Sequence, residues 1–160
     1  MRCCRACTTT SMARAECPRC LRAQAACFCQ FITPTPTACE VLVLQHPLEL
    51  HHAKNSARLL HMSVPNSQLL VGEAFDDTTL QALMGDGKYT VLLYPPTSYE
   101  GHATPATLDT QRLLDLQALR VVVLDATWRK SRKMLHLSPA LQRLPRLALN
   151  DVPESHYVIR

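Results

Sequence analysis

"LRVVVLDATWRKSRKM", residues 119–134, decides the fold. Val121 to Leu124 form a short, nearly continuous apolar run, and such a run reads as a central strand covered on both faces, as in a parallel sheet. The run ends on Asp125. In parallel α/β sheets, ligands bind outside the carboxyl ends of the strands, so a carboxylate there is a candidate functional group. Asp125 or Thr127 would equally serve as a cap for the next helix, and Trp128 as ordinary core filler, so the residues alone leave these roles open. Arg129, Lys130, Arg132 and Lys133 then crowd into five residues. A helix from 128 to 137 puts Trp128, Ser131 and Leu135 on one side and Arg129, Arg132 and Lys133 on the other, with Lys130 beside them. Like charges three and four apart repel by about 0.2–0.5 kcal/mol per pair, so the face gains from an anion such as an RNA phosphate; the alternative is a solvated surface.

The pattern repeats on either side of this stretch. "VLVLQ" (41–45), "QLLVG" (68–72), "YTVLLY" (89–94) and "RLALN" (146–150) are apolar runs of strand length like "RVVVLD" (120–125). Helical periodicity lies between them at about 48–61, 78–84, 108–117 and 128–137. Strands alternating with helices predict an α/β fold, a mostly parallel sheet flanked by helices. In "HPLELHHAKNSARLLH" (46–61), Pro47 suits a helix start. Helical spacing then sets Leu50, Ala53, Ala57 and Leu60 against a cationic face of His51, Lys54, Asn55 and Arg58. An ordinary solvated face is the other reading of that pattern. HExxH is absent, so the histidines do not form a zincin site.

The 160 residues suffice for one domain with a core plus a small appendage. A hydrophobic share of 47% with 19% charged residues excludes wholesale disorder, and a net charge of +4 is compatible with a polyanionic partner. No apolar run reaches the roughly 18 residues of a membrane span, and the N-terminus lacks a signal-peptide stretch, so a cytoplasmic protein is expected. Seven of the eight cysteines fall in the first 29 residues. In a reducing compartment such crowding points to metal. "CPRCLRAQAACFC" offers Cys17, Cys20, Cys27 and Cys29 as C-x2-C and C-x-C, a knuckle and return loop suited to tetrahedral zinc; Cys3, Cys4 and Cys7 offer a competing set. The segments are therefore a zinc-binding region (1–32), a linker around "TPTPT" (33–39) and the α/β domain (40–160). With four glycines, no G-x-G-x-x-G and no Walker loop, a dinucleotide fold or an NTPase is not expected. "LYPPTSYEG" (93–101) ends a strand and offers Tyr94 or Tyr99 to an adenine-like ring.

In order along the chain, "CPRC" and "CFC", "HPLELHHAKNSARLL", "LYP", "LDATW" with "RKM", and "YVIR" (157–160) resemble the DTW-domain family, tRNA-uridine aminocarboxypropyltransferases of the SPOUT superfamily. The resemblance implies a SPOUT-like α/β domain with a C-terminal knot. Family members continue past "YVIR", so it also implies that the knot is incomplete in a chain ending at Arg160. The implied chemistry is transfer of the aminocarboxypropyl group of S-adenosylmethionine to N3 of a tRNA uridine, releasing methylthioadenosine. By the same resemblance Asp125 is the general base and Tyr94, Pro95, Asp125, Thr127, Trp128 and Arg160 meet the donor. Lys54, Asn55, Arg58, Arg129, Arg132 and Lys133 would meet the tRNA. Two rival functions remain on sequence alone, a SPOUT-type RNA methyltransferase and a non-catalytic zinc-containing RNA-binding protein.

Overall fold

The stretch at 119–134 lies at the middle of the fold, in a computed structural model that describes residues 15–52, 55–96 and 101–149. Five strands are described: β1 (Glu40–Gln45), β2 (Ser67–Val71), β3 (Tyr89–Leu93), β4 (Leu119–Asp125) and β5 (Arg146–Leu147). All pair in parallel, in the order β2-β1-β4-β3-β5. The helices α1 (Ala57–Ser63), α2 (Asp77–Met84), α3 (Trp128–His136) and α4 (Pro139–Gln142) lie between them in sequence. Residues 1–31 and 32–160 are separate compact units.

Alternation along the strands sends even and odd residues to opposite faces. The even face carries the larger core. Leu42, Leu44, Leu92, Tyr94 and Val122 pack there against Leu80 of α2, Met134 and Leu135 of α3 and Leu141 of α4. Each of these helix residues is fully buried, so truncating one to alanine removes roughly 2–5 kcal/mol. On the odd face Tyr89, Val91 and Leu119 pack with Leu108, Leu113 and Val121.

Three sequence expectations are corrected. The helix expected at 48–61 is interrupted: a 3-10 turn covers Pro47–Glu49 and α1 starts only at Ala57. Asn55 is the physical reason. Its Nδ2 donates to the carbonyls of Glu49 (2.8 Å) and Leu50 (3.4 Å), taking acceptors that a continuous helix needs, while its Oδ1 accepts from Arg58 N. The proposed opposition of Leu50 to Asn55 on one helix therefore does not exist. The expected helix at 108–117 is instead two 3-10 turns, Arg112–Leu114 and Leu116–Ala118. Asp109 accepts from the backbone N–H of Gln111 and Arg112, and Asp115 from that of Ala118, so each carboxylate closes its own short turn. Among the described residues, the strand expected at 146–150 pairs over Arg146–Leu147.

The amino ends of the strands hold a charge network that periodicity did not show. Arg120 is 2% exposed, and its guanidinium donates to Glu40 (2.8 and 3.2 Å) and Asp86 (2.7 Å), while Lys88 also pairs with Glu40. These contacts tie β1, β4 and the α2–β3 loop together at the end of the sheet opposite Asp125.

Candidate functional site

At the carboxyl ends of the central strands, Gln45 and Asp125 are register partners on β1 and β4. Paired residues of parallel neighbours project to the same face, and here the fully buried Gln45 donates from Nε2 to Asp125 Oδ2 at 2.7 Å. The backbone adds a second tie, His46 N to Asp125 O at 2.9 Å. No side-chain cap bond is formed at Thr127, the residue preceding α3, and the hydrogen-bond partner of the Asp125 carboxylate is Gln45. The helix-cap alternative for Asp125 and Thr127 is thus not realised. Asp125 Oδ1 has no hydrogen-bond partner among the described residues.

Asp125 borders an apolar cavity of about 320 Å³ on the odd face, floored by Val43 and Val123 and walled by Ala57, Leu59 and Leu60 of α1. A second cavity, also about 320 Å³, opens beyond β3 and β5, lined by Leu93, Tyr94, Pro95 and Pro96 with Leu147, Ala148 and Leu149. Between strand ends and α3 stands an aromatic stack, Tyr94 on Trp128 with centroids 5.2 Å apart and planes 15° from parallel. Tyr94 is buried and its hydroxyl lies 3.2 Å from Ser131 Oγ, which itself donates to Trp128 O. Trp128 is 55% exposed, so it is not core filler, and it is the ring of the pair that solvent and ligands can reach.

The basic face of α3 is partly neutralised from within. Lys130 Nζ meets Glu49 at 3.0 Å and Lys133 Nζ meets Glu73 at 3.0 Å. These cations hold both carboxyls below the usual carboxylate range. His46, whose Nδ1 accepts from Leu48 N, places Nε2 3.2 Å from the same Glu73 oxygen. Arg129 and Arg132 are exposed and have no ion pair among the described residues.

In the N-terminal unit the sulfurs of Cys17, Cys20, Cys27 and Cys29 all lie within 4.8 Å of one another and could hold a metal ion. All four thiols are free of disulfides. The knuckle is built by Cys17 N donating to Arg22 O and Leu21 N to Cys17 O, with Leu21 in the left-handed region at φ 58°. Backbone N–H groups of Cys20 and Arg19 bring the Cys17 thiol down to about 6, whereas partial desolvation, followed by the neighbouring sulfurs, pushes Cys29 up to about 12. Four thiolates so close repel unless a cation stands between them.

A family model described as the DTW domain matches residues 14–160. The chain belongs to the DTW-domain family. It is 30% identical to "tRNA-uridine aminocarboxypropyltransferase 2" of Drosophila melanogaster over 92% of this chain and 59% of that protein. It is 27% identical to "tRNA-uridine aminocarboxypropyltransferase A" of Arabidopsis thaliana over 81% of this chain and 53% of that protein. The chain thus spans somewhat more than half the length of these curated relatives. No solved structure matches significantly.

Within this DTW domain the described donor candidates distribute over two of the cavities as follows. Tyr94 and Pro95 line the β3–β5 cavity, Asp125 lines the other, and Thr127 and Trp128 line neither. Of the residues expected to meet RNA, Arg129, Arg132 and Lys133 share the exposed side of α3, and Asn55 and Arg58 sit at the start of α1. Lys54, Arg160, Tyr99, Cys3, Cys4, Cys7 and "YVIR" lie outside the described residues. Sequence reasoning missed Gln45, Glu49 and Glu73. The polar residue closing the apolar run "VLVLQ" was the available signal for Gln45; nothing local marked the two glutamates as partners of α3. No described helix is long and apolar enough to cross a membrane.

Proposed function

We propose that this DTW domain is a tRNA-uridine aminocarboxypropyltransferase that uses S-adenosylmethionine as donor. The observation that carries the reading is the Asp125 carboxylate at the end of the central strand, one oxygen fixed by buried Gln45 and the other open beside a cavity, in a chain similar to relatives bearing that name. Uridine N3 is a poor nucleophile until it loses its proton, and a positioned carboxylate within hydrogen-bond reach can remove it. Gln45 orients that carboxylate. The sulfonium of the donor is already a good leaving group, so positioning supplies most of the remaining acceleration.

The β3–β5 cavity, with Tyr94 and Pro95 in its wall, is the proposed place for the donor, and exposed Trp128 lies at the end of the neighbouring strand. Arg129, Arg132 and Lys133 of α3, with Asn55, Arg58 and Lys54, are assigned to the tRNA backbone. Arg160 and the SPOUT-type knot belong to the same reading, and Arg160 lies outside the described residues.

The metal assigned to the four cysteines is structural zinc. A tetrahedron with Zn–S bonds of about 2.3 Å has sulfur–sulfur edges of about 3.8 Å. Cys17 and Cys29 sulfurs are 3.7 Å apart and those of Cys20 and Cys27 3.8 Å. The donor set and its spacing therefore fit the ion, whose binding would stand in for the hydrophobic core cluster that is absent among the described residues of this unit.

The test is mass analysis of tRNA incubated with the protein and S-adenosylmethionine. An aminocarboxypropyl increment with release of methylthioadenosine is expected. A methyl increment would convert the reading to a methyltransferase, and no increment together with unaltered zinc and RNA binding would leave a non-catalytic RNA-binding protein.

A further inference from the structure

Val43, Gln45, Val123 and Asp125 project to one face of the sheet, because Val43 pairs with Val123 and Gln45 with Asp125. Leu93 and Leu147 pair as well, and alternation from Val91, which pairs with Val121, sets them on that same face. Both cavities therefore lie at the carboxyl end of the sheet, and Leu93 and Leu147 of the second share the face of Asp125, although Tyr94 of the opposite face lines that cavity as well. One lies over β1 and β4, the other over β3 and β5, two strand spacings away, or about 10 Å. Donor and acceptor of a group transfer need two adjoining seats, and these are adjoining.

We propose that the cavity between α1 and the β1–β4 pair is the acceptor-base subsite, taking a neutral pyrimidine that presents a ring N–H, with uracil N3–H donating to Asp125 Oδ1. This deepens the transferase reading and rests on it for the identity of the transferred group. The cavity walls are aliphatic apart from two polar residues. Val123, with buried Val43 beside it, gives an apolar floor, and Leu59 and Leu60 remain 42% and 36% exposed at its mouth, apolar surface that a planar ring would cover. Ser56 is the second polar lining residue and its hydroxyl caps nothing, leaving it able to donate to a ring carbonyl. Asp125 supplies the discrimination. Uracil offers its carboxylate a donor at N3, whereas cytosine presents a lone pair there and would be repelled.

In the transfer step the N3 proton passes to the Asp125 carboxylate. The freed nitrogen pair forms the bond to the γ-carbon of the aminocarboxypropyl group, the carbon–sulfur bond breaks, and its electron pair stays on sulfur as methylthioadenosine. The protonated Asp125 then returns its proton to water.

Methyl NMR on the full chain tests the seat without requiring turnover. Uridine 5′-monophosphate should shift the methyls of Val43, Val123 and Leu60. Cytidine and 3-methyluridine 5′-monophosphates should need at least tenfold higher concentration for the same shifts. Leu60→Trp, which narrows the mouth from an exposed helix position, and Ala57→Val, a smaller change at the wall, should each weaken the uridine effect. Leu60→Trp should also slow transfer to tRNA at least tenfold while S-adenosylmethionine still raises Tm as in the unaltered chain. Equal shifts with all three nucleotides, shifts only at Leu93 and Leu147, no shift at all, or unslowed transfer in both variants would overturn the subsite. A tRNA that gains a methyl or nothing, alongside uridine-selective shifts at Val43 and Val123, would instead overturn the transferase reading and leave the base site standing.

Discussion

Asp125 makes one hydrogen bond through its carboxylate and leaves its other oxygen open, the arrangement a base needs if it is to be both oriented and available. Asp125→Asn keeps the shape and removes the proton acceptor. Turnover should fall by roughly 10²–10⁴ while tRNA affinity stays near normal, read by single-turnover transfer and filter binding. Gln45→Met keeps the buried volume but removes the donor to Oδ2. A hydrogen bond to a charged group is worth about 1.5–3 kcal/mol, so kcat should drop about tenfold or more, with the donor's effect on Tm retained. An unchanged kcat would show that Gln45 supports packing alone. At this scale the sequence showed the carboxylate but not its partner, since Gln45 and Asp125 are 80 residues apart and meet only through strand register.

The elements divide the basic residues into two kinds. Lys130 and Lys133 already hold Glu49 and Glu73, whereas Arg129 and Arg132 stand exposed without ion pairs among the described residues. Arg132→Ala should therefore weaken tRNA binding and flatten its log–log salt dependence by about one unit of slope. Lys133→Ala should flatten it less, because part of its charge is spent on Glu73; affinity measured across a salt series distinguishes them. In the cysteine unit, Cys27→Ser should release the zinc, measured by metal analysis. It should also increase protease cleavage within residues 15–31 while the thermal transition of the sheet unit stays in place. Retained zinc would move the site to another cysteine set. The helical period of α3 was legible from its charges and apolar positions. The helix expected at 48–61 was not read correctly, because Asn55 competes for backbone carbonyls in a way that periodicity does not encode.

Across the sheet unit, the proposed site and the buried charge network occupy opposite ends of the sheet. The carboxyl ends carry the open carboxylate and both cavities, while the amino ends carry the buried Arg120 network. Arg120 holds Asp86 down to about 2 and lowers Glu40 as well. Both folded-state values lie below the unfolded ones, so the stability they contribute is complete above the ordinary carboxylate range and is lost as pH falls through it towards about 2. Arg120→Met should lower stability at neutral pH by about 3 kcal/mol, since Glu40 then keeps Lys88 and the hydrogen bond from Gln68 but loses its guanidinium partner. It should also flatten the fall of Tm between pH 4 and 2. A Tm–pH curve parallel to that of the unaltered chain would remove the network from the account of acid sensitivity.

The sequence by itself determined the parallel α/β class, the central place of 119–125, the grouping of four cysteines and the position of Asp125 at a strand's end. Each is a local matter: apolar runs, alternation and ligand spacing are written within a few residues of one another. Tertiary structure alone decided the strand order β2-β1-β4-β3-β5, the Gln45–Asp125 pair, the glutamates beneath the lysines of α3 and the placing of Tyr94 and Asp125 beside two different cavities. These depend on which strands become neighbours and in what register, and the register fixes which side chains share a face. No local pattern records that choice.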